Sequence, residues 1–210
     1  MVGTGIICTV RLAEDADLSG IMQVERNSFT AGIVESETVF AERLSGAKGC
    51  NHVLVHAGTA AVYGYFTSEI WRNDGVEGEA FALGHPVHER HCPDGTVLYI
   101  SSFALLPVLR GKKITLSGGN RTSSAGADPA GVAQQTGTTQ PAGAASTFFK
   151  TAIHNTLKGF PQLERIILLV HEDWYKAIRI YEAQGFTRTN VLKHFAGFGN
   201  KRAFIYEKTV

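Results

Sequence analysis

The apolar residues of this 210-residue chain fall into two patterns, short runs suited to strands and three-to-four-residue spacings suited to helices. Two runs are apolar on both faces: Leu98–Leu106 (LYISSFALL) and the body of Arg165–His171 (RIILLVH). A strand without a polar face must be covered on both sides, which puts these two at the centre of a sheet. Ile6–Leu12, His52–His56 and Ala61–Trp71 read as further strands, the last two as a hairpin turning at Gly58. Thr187–Phe195 and Arg202–Lys208 close the chain around a Gly197–Asn200 turn.

Helical spacing marks four segments between the strands. Asp15 or Asp17 can cap a helix to Phe29, with Leu18, Ile21 and Met22 on one side, and Ser36 a second helix to Leu44. Ser146 can cap a third to Leu157, with Phe149, Ala152, Ile153 and Leu157 inward. Glu172 and Asp173 open a fourth, Trp174–Ala183, with Gly185 as its C-cap. Central strands covered by helices predict a single α/β domain of the layered α+β kind, residues 1–210. Asn73–Gly95 lacks a period and reads as a polar loop over the sheet. Its His85, His88, His91 and Cys92 are zinc-ligand types, but their spacing follows no closed zinc-site pattern, so no metal is predicted.

Composition alters this picture at one place. Ser117–Ala145 is mostly Gly, Ser, Ala, Thr and Gln, with no aromatic residue and only Arg121 and Asp128 charged. Such a stretch buries too little to offset its ordering entropy, so a flexible low-complexity insertion is predicted over 113–142. Twenty basic against nineteen acidic residues argue against a nucleic-acid partner. No window of 18 apolar residues exists to span a membrane. The opening MVGTGIICTV has no basic n-region of a signal peptide, and three unpaired cysteines (Cys8, Cys50, Cys92) suit a reducing, cytoplasmic setting.

The central strand ends at Pro107 and runs into Arg110-Gly111-Lys112, a basic corner at a carboxyl end, where α/β folds place anionic ligands. That corner, the following helix, the second central strand and the segment AIRIYEAQGF (Ala177–Phe186) together resemble the acyl-CoA-dependent N-acetyltransferase (GNAT) superfamily. The likeness covers nearly the whole chain in element order. A fainter similarity, carried by the long central-strand entry and by Arg26-Asn27-Ser28-Phe29, is to the arylalkylamine branch. The resemblance implies the acyl-CoA N-acyltransferase fold: a mixed, mostly antiparallel sheet of six to seven strands flanked by about four helices.

It also implies chemistry. The family's corner, Gln/Arg-x-x-Gly-x-Gly/Ala, holds the CoA pyrophosphate on helix-start amides. Read contiguously, the glycine positions fall on Lys113 and Thr115. Read as a split motif, Arg110-Gly111-Lys112 is completed across the insertion by Gly143-Ala144-Ala145, directly before Ser146. Loop closure grows only logarithmically with length, so such a split is affordable, and the amides bind phosphate provided the edges meet. The family holds the thioester carbonyl on a backbone N–H near a bulge in the central strand, here expected around Leu105, with Ala104 and Leu106 beside it. Tyr181 corresponds to the tyrosine that protonates the leaving thiolate. Trp174 stands where many relatives place an asparagine touching the pantetheine arm.

The base is less defined. The two histidines of the arylalkylamine branch are replaced by Tyr99 and Ser101; Ser101 can hold a water, and His171, Glu79 and Glu172 are the titratable alternatives, His171 the best placed. Glu25, Glu35 and Glu37 are expected on solvated helix faces, where they can attract a cationic amine. The expected activity is transfer of an acetyl group from acetyl-CoA to a small-molecule or peptide amine by direct attack. A non-catalytic CoA binder on the same fold is the alternative. The Arg202–Lys208 strand can lend an edge to a scaffold or homodimer.

Overall fold

The computed structural model describes residues 6–74, 78–117 and 143–210. The stretch 118–142, most of the expected insertion, lies outside the described residues, as does the side chain of Glu79. Eight strands form one sheet: β1 (Ile6–Leu12), β2 (His52–His56), β3 (Val62–Trp71), β4 (Val97–Leu105), β5 (Ile114–Leu116), β6 (Arg165–His171), β7 (Thr187–Phe195) and β8 (Lys201–Thr209), in the order β5-β1-β2-β3-β4-β6-β8-β7. The sheet is mixed and mostly antiparallel, with only β1–β5 and β4–β6 parallel among the described strands. Among the described residues five helices accompany it: α1 (Leu18–Ser28), α2 (Glu37–Gly46), α3 (Val87–Arg90), α4 (Ala144–Gly159) and α5 (Tyr175–Ala183). None of the described helices is long and apolar enough to cross a membrane.

The two fully apolar strands, β4 and β6, do sit at the centre and run parallel, Val97–Ile100 against Arg165–Leu168. Alternation along β3 and β4 sends side chains to two layers. Phe66, Ile70, Leu98 and Ile100 pack with Phe148, Phe149 and Tyr181 from α4 and α5. On the other face, Tyr65 and Ala104 pack with Ile21, Val24, Phe40 and Leu44 from α1 and α2. Ser36 caps α2 by accepting from the Val39 N–H at 3.3 Å, as its position before the apolar spacing predicts.

Four expectations are corrected. The closing strand expected over Arg202–Lys208 to lend an edge is β8, and it lies inside the sheet, paired with β6 on one side and β7 on the other. Ser146 lies inside the first turn of α4, whose N-cap is Gly143, because the helix starts three residues earlier. The expected loop 73–95 is anchored rather than laid over the sheet: it carries a 3-10 turn (Gly78–Phe81) and α3, and Phe81 and Val87 are fully buried. Residues 114–116, placed in the insertion, form the edge strand β5 on Ile6–Cys8 of β1.

Gly95 shows how tightly the anchored loop fits. A Cβ there would stand 2.2 Å from the Trp71 carbonyl oxygen and 3.0 Å from the Cys92 carbonyl oxygen. Both neighbours are backbone and have no flexible end to yield. Gly95→Ala is therefore expected to cost about 1–3 kcal/mol in urea unfolding; an unchanged midpoint would contradict this packing.

Candidate active site

β4 and β6 separate where the chemistry is expected. Their ladder ends at Ile100–Leu168, yet β4 continues on β3 to Leu105, and β6 continues on β8 to His171. The cause is a bulge. Thr67 pairs with Ser102 and Ser68 with Ile100, so Ser101 is the extra residue of β4. A bulge bends and over-twists its strand, which steers β4 away from β6. Val97–Ile100 are buried, whereas Ser101, Ser102 and Phe103 are half-buried, as a slot opening at that point requires. The bulge lies four residues before the expected Leu105. Leu105 pairs regularly with Gly64, and its carbonyl accepts from the Ser28 hydroxyl at 3.2 Å.

The basic corner lies beyond the end of β4. Gly111 adopts φ +69°, a left-handed turn residue with no atom within 4 Å of where a Cβ would stand. The chain then leaves along β5 and returns at Gly143, and the two edges touch: the Ala144 N–H donates to the Lys112 carbonyl at 2.8 Å. The first bond of α4 runs from the Thr147 N–H to the Gly143 carbonyl at 3.0 Å. The Ala145 and Ser146 amides therefore precede the helical ladder and stand at the positive end of a 16-residue helix. Arg110, Gly111 and Lys112 are exposed, and the Lys112 carbonyl brings their turn against the start of α4. The Ser146 hydroxyl accepts from Gln184 Nε2 at 3.0 Å, tying α4 to α5.

Tyr181 is buried on α5, its ring 5.1 Å from Phe149, which in turn is 5.1 Å from Phe103 at the slot. Burial pushes its phenol pKa up. His171 is buried at the end of β6, and its Nδ1 accepts the Asp173 N–H at 3.0 Å. That bond occupies the lone pair a base would use and puts the ring proton on Nε2. Trp174 stacks on His171 at 5.6 Å and meets Phe198 and, from the end of α1, Phe29, each at 5.3 Å. It packs against both the apolar cluster that includes α4 and the one around Phe195 and Phe198. Glu172 accepts from the Arg202 guanidinium at 2.7 Å, which with the Arg202 N–H lowers its pKa.

Ser101 donates to Thr67 Oγ1 at 3.0 Å. Tyr99 is buried against Trp71 at 4.1 Å and Phe81 at 5.4 Å. Of the histidines considered for metal, His85 Nε2 lies 3.0 Å from both Glu69 carboxylate oxygens, and His91 Nδ1 accepts the Ile70 N–H at 3.1 Å. Cys92 Sγ accepts from Arg72 Nε at 3.4 Å.

Two of the three acidic residues expected on solvated faces are buried. Glu25 accepts from the Tyr65 hydroxyl and from the Glu35 N–H at 3.0 Å. Glu35 receives Arg43 in two bonds of 2.5 and 2.8 Å and the Gly84 N–H at 2.7 Å. Only Glu37 is exposed, 3.9 Å from Arg26.

Neither a family model nor a curated protein sequence matches the chain. Solved structures do match, at low identity. The GphF GNAT-like decarboxylase in complex with isobutyryl-CoA is 13% identical, with 95% of this chain and 98% of that one covered and a TM-score of 0.66. The loading GNATL domain of CurA from Lyngbya majuscula is 10% identical over 96% and 97%, TM-score 0.66. The NatC complex bound to Gag peptide and CoA gives 13% over 98% and 99%, TM-score 0.65. The fold is thus that of the GNAT acyl-CoA N-acyltransferases, with no particular likeness to the arylalkylamine branch among these structures.

Proposed function

We propose that this protein is an acyl-CoA-dependent N-acyltransferase that moves an acetyl group from acetyl-CoA to a primary amine in a ternary complex. The observation carrying this reading is the pairing of a splayed β4–β6 slot with a phosphate corner whose two edges meet at Lys112 and Ala144. Arg110 and Lys112 supply charge, and the Ala145 and Ser146 amides supply donors, for a pyrophosphate. The slot admits an extended thioester arm beside β4. The fold likeness to structures holding isobutyryl-CoA and CoA supports the same ligand class here.

Acetyl-CoA supplies the activated carbonyl; the chain supplies position and protons. Past the bulge β4 has lost β6 as a neighbour, and a backbone N–H facing the slot there polarises the carbonyl. The neutral amine attacks, the C–S bond breaks, and Tyr181 returns a proton to the thiolate. A CoA-binding protein without turnover is the second reading. The occupied Nδ1 of His171 and the Phe29–Trp174 contact favour it.

Calorimetry with acetyl-CoA, followed by thiol release against a panel of small and peptide amines, separates these readings. Tight binding with thiol release supports transfer; binding without release supports the second reading; no binding defeats both. Joining Lys112 directly to Gly143 gives an uninterrupted Arg-Gly-Lys-Gly-Ala-Ala corner. That variant also removes the edge strand β5 and is expected to lose some stability, but because the edges already touch it is expected to bind acetyl-CoA at least as well as the full chain. Loss of binding would mean that the corner depends on the excised residues.

A further inference from the structure

The best-placed histidine being engaged, the amine's proton needs another destination, and a buried carboxylate on α1 stands at the end of a hydrogen-bonded chain from β4. We propose that Ser102, Tyr65 and Glu25 form a proton relay leading from the β4–β6 slot to the Glu25 carboxylate, with Ser102 touching the substrate amine and Glu25 acting through the other two. This deepens the acyltransferase reading and rests on it.

The geometry is continuous. Ser102 follows the bulged residue, and it is half-buried at the place where the slot opens. Its Oγ lies 2.9 Å from the Tyr65 hydroxyl, which donates to Glu25 Oε2. Tyr65 is fully enclosed and Glu25 is 1% exposed, so Ser102 is the end of the chain that reaches the slot.

Hydrogen-bond counting then fixes the polarity. The one Tyr65 proton goes to the ionised carboxylate, so Ser102 must donate to the Tyr65 oxygen. This leaves the Ser102 oxygen lone pairs free to accept from an amine in the slot. As the C–N bond forms, the amine proton passes to Ser102, the Ser102 proton to Tyr65 and the Tyr65 proton to Glu25. The C–S bond breaks, and the thiolate takes the Tyr181 proton. Between turnovers Glu25 gives its proton to solvent and Tyr181 regains one, so the net change is one proton moved from amine to thiol.

The surroundings suit a base. The charged and titratable groups facing Glu25 are Tyr65 from β3, Glu35 from the segment before α2, and Arg43 from α2. Burial, above all, raises the Glu25 pKa, outweighing the Tyr65 hydroxyl and Glu35 N–H bonds that lower it, with the Glu35 charge adding to the rise against Arg43. A carboxyl raised on folding costs stability once pH exceeds its unfolded value, so stability alone does not explain its place. With its pKa raised, it holds a proton more strongly than an ordinary exposed glutamate.

The test compares wild type, Ser102→Ala, Tyr65→Phe and Glu25→Gln in thiol release across pH 5–9. The relay predicts that each variant loses about 10²-fold in kcat/KM and flattens the acid limb of the profile. Ser102→Ala with Glu25→Gln should cost no more than either alone, because one broken link disables the chain. Ser102→Ala removes only a hydroxyl at a half-buried position, so it keeps the test valid if Glu25→Gln misfolds. Acetyl-CoA affinity should be unchanged in all of them. If the wild type turns over and Ser102→Ala keeps its rate and pH profile, the relay is wrong while the acyltransferase reading stands. If the wild type binds acetyl-CoA and releases no thiol with any amine, both fall together.

Discussion

Replacing Tyr181 with Phe is expected to lower single-turnover thiol release by about 10²-fold or more, with little change in acetyl-CoA affinity. The ring is held by Phe149 at 5.1 Å and Phe186 at 6.2 Å, contacts that a phenyl ring in its place would keep. The hydroxyl makes no hydrogen bond among the described residues, so its removal leaves no partner stranded. In the proposed reaction, what is lost is the proton for the leaving thiolate. Burial keeps that proton on the phenol throughout the working pH range, so Tyr181 serves as a donor and adds no limb to the pH profile between 5 and 9. The same low-dielectric surroundings make a departing thiolate a stronger base than in water, which keeps the transfer matched. A variant that retains the wild-type rate at every pH would remove Tyr181 from the chemistry.

Much of the scaffold could be read from periodicity. Two strands with no polar face could only be central, and they are neighbours. The two edges of the interrupted corner do lie together, with the Ala144 N–H on the Lys112 carbonyl, as the spacing of Gly143-Ala144-Ala145 allows. The bulge was not legible. A bulge depends on pairing across two strands, and the adjacent Ser101-Ser102 in an apolar run was the single local sign of it.

The buried charges carried a signal that composition obscured. Glu25 lies four residues after Ile21 and three after Met22, on the inward face of α1, and Arg43 lies three after Phe40 on α2. Glu69 alternates in phase with Tyr65 and Trp71 along β3. Charged residues at inward positions imply partners, but a sequence does not say which helix and strand will bring those partners together. Here α2 carries Arg43 between Glu35 and the β3 carboxylate, which no local pattern encodes.

That arrangement makes Arg43→Met the most destabilising substitution expected outside the apolar core, at about 3–5 kcal/mol in urea unfolding. Arg43 is 1% exposed and bonds Glu35 in two places; its Nε lies 3.9 Å from Glu69. Burial works to strip its charge, yet the Glu35 and Glu69 carboxylates outweigh this and raise its pKa. Without the guanidinium, two carboxylates remain enclosed, one of them also holding Trp71 and His85. Glu35 then has no counterion and Glu69 keeps only His85 at 3.0 Å, and the cost is the desolvation that Arg43 had offset rather than the value of one contact. Two consequences separate this from simple loss of volume. Glu35→Gln added to Arg43→Met should recover part of the stability, giving a coupling energy of about 1 kcal/mol or more in the cycle. Acidification should also narrow the gap to wild type. Stranded carboxyls have folded pKa values above their unfolded ones, so their penalty is present at neutral pH and fades as pH falls through the folded value. A deficit in Arg43→Met that is the same at pH 5 and pH 8, with no rescue by Glu35→Gln, would show that the side chain acts there by packing alone.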